Sequence, residues 1–278
     1  MRVVPHLRIA LLLFVFAFSS AYMLTRFGVT EKYESTTVIF TPNTHANIHL
    51  VSAGMRFGYD KEIGEQLEML GSNAVRDALV KAFDLINVYD LDTTEVYWLE
   101  KLQKKYSRNV RFNRTVNKSI EIIVRDADAQ RAAAMANRLV ELADLHKNAV
   151  VQRNVALAAD AAYASYQEKA ALITEMTDSL EALRQAGESV WTFGEERKSG
   201  RYQNYELQYR KELERFLELK MRWEELHDLK QTTVPKSYVV SAAFPASKPI
   251  YPKKGLLSLL AGLVAALGYI FLRNTKLS

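Results

Sequence analysis

The chain has 278 residues, 49% hydrophobic and 25% charged, with a net charge of +5 and no cysteine. The missing cysteines exclude disulfides, thiol catalysis and Cys-zinc sites, and they suit an oxidising compartment such as a periplasm. Lys and Arg are scattered rather than blocked, so no nucleic-acid partner is expected.

Residues 9–25 form the first element, an uncharged run of Leu, Phe, Ala and Val. Its length is roughly that needed to cross a hydrocarbon core of about 30 Å. A cleaved signal peptide is the competing reading, with Arg2 and Arg8 ahead of the run and Ala17-Phe18-Ser19 as the cleavage site. The charge-free stretch continues through Tyr22, Met23 and Leu24, which favours a retained span. Both readings place the middle of the chain outside the cytoplasm.

A strand is predicted at 34–41, where Thr36, Thr37, Val38, Ile39 and Phe40 precede Pro42-Asn43. Residues 44–60 read as a loop. Short helices follow at 62–70 and 73–83, split by Gly71-Ser72. Another is predicted over 94–106, with Val96, Leu99 and Leu102 on its inner face. The alternation of Ile120, Ile122 and Val124 predicts a strand at 119–124 with one buried face. Asp126 or Asp128 then caps a helix, because a short carboxylate accepts first-turn N–H groups.

That helix is the longest element. Residues 129–185 hold no Pro and no Gly, which at about 1.5 Å per residue gives roughly 85 Å. Ala156, Ala159, Tyr163, Tyr166, Ala170, Ile173, Thr177 and Leu180 form a seam in steps of three and four, the coiled-coil period. A Gly-containing loop spans 187–200. A second helix over 201–230 carries Tyr202, Tyr205, Tyr209, Phe216, Leu219, Trp223 and Leu226 as its seam. Two seamed helices joined this way predict an antiparallel hairpin projecting from a base. Its aromatic stripe reads as hairpin core rather than as a ligand surface, and Trp98 likewise reads as buried.

A third strand is predicted at 234–241. Pro245, Pro249 and Pro252 follow, fixing φ and removing N–H donors. The segment is expected to be a stiff extended strut that couples an outer domain to a second apolar run at 255–272. Within that run Ser258, Gly262 and Ala266 recur every four residues, a spacing that lets two helices approach closely in lipid. Arg2 and Arg8 at one end, and Arg273 and Lys276 at the other, place both tails in the cytoplasm. Lys253 and Lys254 argue against this, but a large translocated domain weakens their vote.

No sequence template for catalysis is met. There is no Gly-rich loop leading into Lys-Ser or Lys-Thr, and no Gly-x-Ser-x-Gly elbow. His45 and His49 are four apart but lack a third ligand. No catalytic residue, metal site or cofactor is expected.

Together these features resemble the polysaccharide co-polymerases, the Wzz-type chain-length determinant proteins of bacterial inner membranes. The match rests on the span near the N-terminus, the strand after it, and the Ile120–Asp128 transition into an Ala-rich helix reaching Ala136-Asn137. The long helical hairpin and the Pro245, Pro249, Pro252-Lys253 segment ahead of a second span complete it. The short N-terminal tail departs from the family pattern, and no kinase domain follows Ser278. The resemblance implies an α+β fold, anchored by two transmembrane helices at 9–25 and 255–272 between tails at 1–8 and 273–278. A small α/β base at 26–128 would bear a hairpin extension at 129–230, with a return strand and strut at 231–254. It also implies a homo-oligomer in contact with membrane lipid, a polysaccharide polymerase and an undecaprenyl-linked glycan. The function implied is non-enzymatic control of glycan chain length. A structural component of a capsule or exopolysaccharide export system is the alternative. A two-span sensor is disfavoured, because six residues after the second span would leave no output module.

Overall fold

The computed structural model describes residues 4–42 and 59–275. The His45/His49 spacing lies outside the described residues, as do Arg2 and Lys276. The fold is α+β, and the chain divides into two compact units. One comprises Met1–His146 with Pro235–Ser278, the other Lys147–Val234.

In the first unit, helix α1 (Val4–Phe27) leads into strand β1 (Tyr33–Phe40). Helices α2 (Asp60–Gly71), α3 (Asn73–Ala82), α4 (Leu85–Val88) and α5 (Trp98–Asn109) precede β2 (Val110–Arg114) and β3 (Ile120–Asp126). After the second unit the chain returns as β6 (Tyr238–Ser241) and ends in α8 (Lys254–Thr275). The sheet order is β2-β3-β1-β6, antiparallel throughout. In the β1–β3 register Thr37 faces Ile122 and Ile39 faces Ile120. Burial alternates along β3, as its period-two pattern requires, so Ile120, Ile122 and Val124 point inward.

These side chains meet the start of the long helix α6 (Ala129–Gln185), which contributes Ala132, Met135, Ala136 and Leu139, together with Ile63, Leu70, Val75 and Leu79 of α2 and α3. Removing each large apolar side chain from water is worth about 1.5–3 kcal/mol. The start of α6 is capped by Asp128, whose carboxylate accepts from the Gln130 N–H at 2.8 Å and the Arg131 N–H at 3.4 Å. Asp126 instead accepts from the Asp128 N–H at 2.9 Å and pairs with the Arg131 guanidinium. The two candidate caps thus share the turn.

Several local expectations are corrected. Helix α5 begins at Trp98, and its buried face is Leu102, Tyr106 and Asn109. Val96 lies before the helix and is 85% exposed, and Leu99 is exposed too. Trp98 is half-buried against the core. Strand β2 went unpredicted, because it follows α5 with no turn residue between and carries Arg111 and Arg114 on an edge. Strand β6 starts only at Tyr238, since Pro235 supplies no N–H to a sheet.

In the second unit, α6 continues and is paired by α7 (Gly200–Leu229). The expected loop between them is a β-hairpin, β4 (Ser189–Thr192) and β5 (Glu195–Lys198). Phe193 and Gly194 turn it with φ of 50° and 85°, the positive values a two-residue hairpin turn needs. Tyr166 stacks between Phe216 and Trp223, with ring centroids at 5.3 and 5.6 Å, and Tyr163 packs on Trp223 at 5.4 Å. Lys169 bonds Glu212 at 2.8 Å and Lys230 bonds Asp160 at 3.0 Å. Partner numbers fall on α7 as they rise on α6, so the helices run antiparallel. On α6 the expected seam residue Ala159 is buried and Tyr163 reaches Trp223, while Thr177 is exposed and Ala162 and Met176 are buried beside the expected positions. Among the described residues of α7, none is fully buried.

Candidate functional site

Helices α1 and α8 pack on each other. Among the described residues one apolar window, Ala10–Phe27, is long enough to cross a membrane, and a shorter apolar stretch covers Lys254–Ile270. Their contact is made by small residues. Ser258 and Gly262 are buried, and Ala266 is half-buried. Ala10 is buried on the opposing helix. A Cβ on Gly262 would fall 2.8 Å from the Phe14 ring, closer than any carbon contact tolerates. Ser258 donates its hydroxyl to the Lys254 carbonyl at 2.8 Å, which satisfies it within its own helix. The stripe expected to bring two helices together therefore faces a helix of the same chain.

Where these helices meet the α/β unit, a collar of polar contacts ties the two chain ends together. The Lys32 N–H donates to the Tyr251 carbonyl at 2.9 Å, and the Ile250 N–H donates to the Lys32 carbonyl at 2.8 Å. This is an isolated antiparallel bridge. Beside it the Lys254 ammonium donates to the Glu31 carboxylate at 2.6 Å, and the Tyr33 hydroxyl donates to the other carboxylate oxygen at 3.1 Å. The Lys254 hydrogen bond, helped by that from Tyr33, holds the Glu31 carboxyl below its usual range. The Tyr33–Glu31 hydrogen bond pushes the Tyr33 phenol up, because ionising it would set two anions side by side. The Lys32 ammonium donates to Asn109 Oδ1 at 2.9 Å, which links the collar to the end of α5.

The proline segment enters this collar. Pro245 is exposed, Pro249 half-buried and Pro252 buried, so burial increases towards α8. The Tyr251–Pro252 peptide bond is cis. In place of one continuous extended strut, the chain bends at Ser247-Lys248 and is extended where it pairs with Lys32.

Upstream, polar side chains clamp the returning chain. Asn137 on α6 donates to the Ala243 carbonyl at 2.9 Å and accepts from the Ala243 N–H at 2.8 Å. Thr37 donates to the same Asn137 Oδ1 at 2.8 Å, and Ser35 donates to the Phe244 carbonyl at 3.0 Å. Asp144 accepts from the Ser237 N–H at 3.0 Å and from its hydroxyl at 2.7 Å. Burying Ser35 and Thr37 on the inner face of β1 is tolerable because each has a partner.

Sequence reasoning missed Glu31, Lys32, Asn109, Asn137 and Lys254 as members of this site. A usable signal was present: Glu31 follows the first apolar run and Lys254 precedes the second, with opposite charges. Among the described residues no group of three or more His, Asp or Glu is placed to hold a metal.

No protein-family model matches the sequence, and no curated protein matches it. Solved structures are similar to it. A full-length bacterial polysaccharide co-polymerase is matched over 99% of this chain and 97% of that one, at 14% identity and a TM-score of 0.45. A fragment of WzzB, the polysaccharide co-polymerase from Salmonella Typhimurium, is matched over 80% of this chain and all of that one, at 14% identity and a TM-score of 0.37. A mutant of the Shigella flexneri lipopolysaccharide O-antigen chain-length regulator WzzBSF is matched over 79% of this chain and all of that one. Its identity is 12% and its TM-score 0.34.

Proposed function

We propose that the chain is a non-enzymatic regulator of bacterial surface polysaccharide chain length. In this reading α1 and α8 both cross the inner membrane, both tails are cytoplasmic, and the region between them is a periplasmic scaffold. The supporting observation is the collar. A single α/β unit is entered and left through two apolar helices that pack together, and the junction is fixed by the Lys32–Tyr251 bridge and the Glu31–Lys254 pair. Such a junction holds a scaffold at a set position over lipid, which matters for a protein that acts by placement. The sequence resemblance to the Wzz-type proteins supplies the class of process. The partners in this reading are further copies of the chain, a polymerase and an undecaprenyl-linked glycan.

The test is the surface polysaccharide of cells with and without the gene, resolved by length on silver-stained gels. A shifted length distribution supports regulation. Loss of all surface glycan favours a structural component of an export system instead, and an unchanged pattern removes both readings. In cells that show the shift, Glu31→Lys should reproduce it and the double swap with Lys254→Glu should restore the normal distribution. Equal behaviour of the single and double variants would remove the collar from the mechanism.

A further inference from the structure

Helix α5 divides its circumference into three stripes. Leu102, Tyr106 and Asn109 face the core. Leu99, Gln103 and Ser107 border the shallow clefts that α5 shares with α3. The third stripe steps by four, three and four residues, the spacing that keeps side chains on one helix face. It carries Tyr97, Lys101, Lys104 and Arg108, all exposed.

Three observations bear on what this stripe meets. The first is its place. Asn109 ends the helix and accepts from the Lys32 ammonium of the collar at 2.9 Å. Lys32 lies just beyond α1, and its bridge partner Tyr251 just ahead of α8. Arg108 therefore stands where the two apolar helices join the α/β unit, and Lys104 is within roughly 8 Å of that end along the helix axis. The second is charge. From Tyr97 to Arg111 the chain carries five Lys and Arg against Glu100 alone. Ahead of the helix, Glu95 is taken by Lys101, and Asp92 is turned onto the Thr94 N–H and hydroxyl at 2.8 and 2.7 Å. The Lys104 and Arg108 side chains make no hydrogen bond or ion pair among the described residues, and neither does the exposed Lys253 at the collar. The third is composition. The stripe opens on Val96 and Tyr97, both exposed, and Tyr is a residue whose apolar body and polar tip suit a membrane–water interface.

We propose that the Tyr97–Arg108 stripe of α5, together with Lys253, rests on the anionic phospholipid headgroups of the membrane that α1 and α8 enter. Each Lys or Arg near an anionic leaflet gains roughly fivefold in affinity, and long cationic side chains reach headgroups while their stems cover apolar surface. The collar attaches the α/β unit at one point. A second contact along roughly 16 Å of helix sets the tilt of that unit over lipid. The contact also gives Lys253 a use, although its charge counts against cytoplasmic tails. The inference rests on the reading that α1 and α8 cross a membrane, and it does not depend on glycan length.

The experiment is lysine footprinting of the full chain, with each amine's acetylation rate read by mass spectrometry. The chain is placed in nanodiscs of phosphatidylcholine alone, in nanodiscs of phosphatidylcholine mixed with phosphatidylglycerol, and in neutral detergent. Lys104 and Lys253 should react at least about threefold more slowly with phosphatidylglycerol present, by the gain expected of a cation at an anionic surface. Lys61 on α2 and Lys211 on α7 should react equally in both discs. Added salt should remove most of the difference. Arg108→Glu should abolish most of the Lys104 protection, Arg108→Lys should retain it, and Arg197→Glu on β5 should leave it whole. Insertion is scored in the same samples by co-elution of the chain with the discs. A chain that enters the discs but shows equal Lys104 rates in the two lipids overturns the headgroup contact and leaves the spanning helices standing. A chain that does not enter overturns both. Protection already complete in detergent would assign the stripe to a second copy of the chain and overturn the lipid contact.

Discussion

The two units solve the same problem with unequal means. In the first, a four-stranded sheet, the α2–α5 helices and the start of α6 enclose Ile39, Ile63, Leu79, Ile122 and Leu139 completely. In the second, two helices and a small β-hairpin pack on one another. Tyr202, Phe216, Leu219 and Trp223 of α7 are all left partly open to solvent. A layered unit can take a side chain wholly out of water, whereas a two-helix seam shields one flank of it. Stability per residue should therefore differ between the units, and so should their opening.

The largest expected effect tests that difference directly. Ile122→Ala removes a fully buried side chain and should destabilise the first unit by about 2–5 kcal/mol. The measurement is the thermal unfolding midpoint of the detergent-solubilised protein. Leu226→Ala, at a half-buried seam position, should lower stability by about 1 kcal/mol, because less apolar surface was shielded there. Equal losses at the two positions would end the comparison. Trp223→Ala sharpens it from the other side. The ring contacts Tyr163 and Tyr166, and aromatic pairs add about 0.5–1.5 kcal/mol beyond their area. Faster amide exchange over Lys147–Val234, with β1 and β3 still protected, is the expected pattern. Faster exchange throughout would show one cooperative unit rather than two.

How far the sequence disclosed these units follows from how local each signal is. The α6 helix was legible to its ends because 57 residues pass without Pro or Gly. Strand β3 was legible because Ile120, Ile122 and Val124 alternate with one buried face. The β-hairpin at Ser189–Lys198 was hidden by its own turn glycine, which reads equally well as a loop. On α5, Leu99 and Leu102 suggested a face three residues apart. The buried set is Leu102, Tyr106 and Asn109, and the polar Asn109 carries no hydrophobic signal. The spacing of Ser258, Gly262 and Ala266 is local to one apolar run, and Gly262 meets the ring of Phe14. Its partner Phe14 lies at the opposite end of the chain, where no local pattern can indicate it. The Lys32–Tyr251 bridge of the collar was hidden for the same reason, since its two strands of chain meet only once the sheet has formed.

That distant pairing can be strained from inside the helix contact. Gly262→Leu drives a side chain into the Phe14 ring, and overpacking of this kind costs about 1–3 kcal/mol. Forced apart, α1 and α8 should loosen the Lys32–Tyr251 bridge. The exchange rate of the Lys32 and Ile250 amides, measured in nanodiscs, should rise about tenfold. Phe14→Ala on the same background should reverse most of the rise by opening space. A bridge indifferent to Gly262→Leu would mean that the sheet alone holds the collar.

The smallest effect concerns the collar's charge. Glu31 has a lowered pKa, caused first by the Lys254 hydrogen bond and then by that from Tyr33. An unfolded Glu titrates near about 4.3. A carboxyl with a folded pKa below that value contributes fully above it, and the contribution is lost as pH falls through the folded value. Neutral and mildly acidic conditions should thus leave the collar unchanged. The amide resonances of Lys32 and Ile250 should move only below about pH 4, and Glu31→Gln should flatten that profile while keeping a weaker hydrogen bond to Lys254. Because Glu31 is open to solvent, screening keeps the pair modest, and added salt should mimic part of the low-pH shift. A transition centred well above pH 5 would assign the change to a group other than Glu31. The clamp made by Asn137 and Thr37 on Ala243 carries no titratable group and should hold through the whole range, so between Ala243 and α8 the return segment would loosen only at its α8 end.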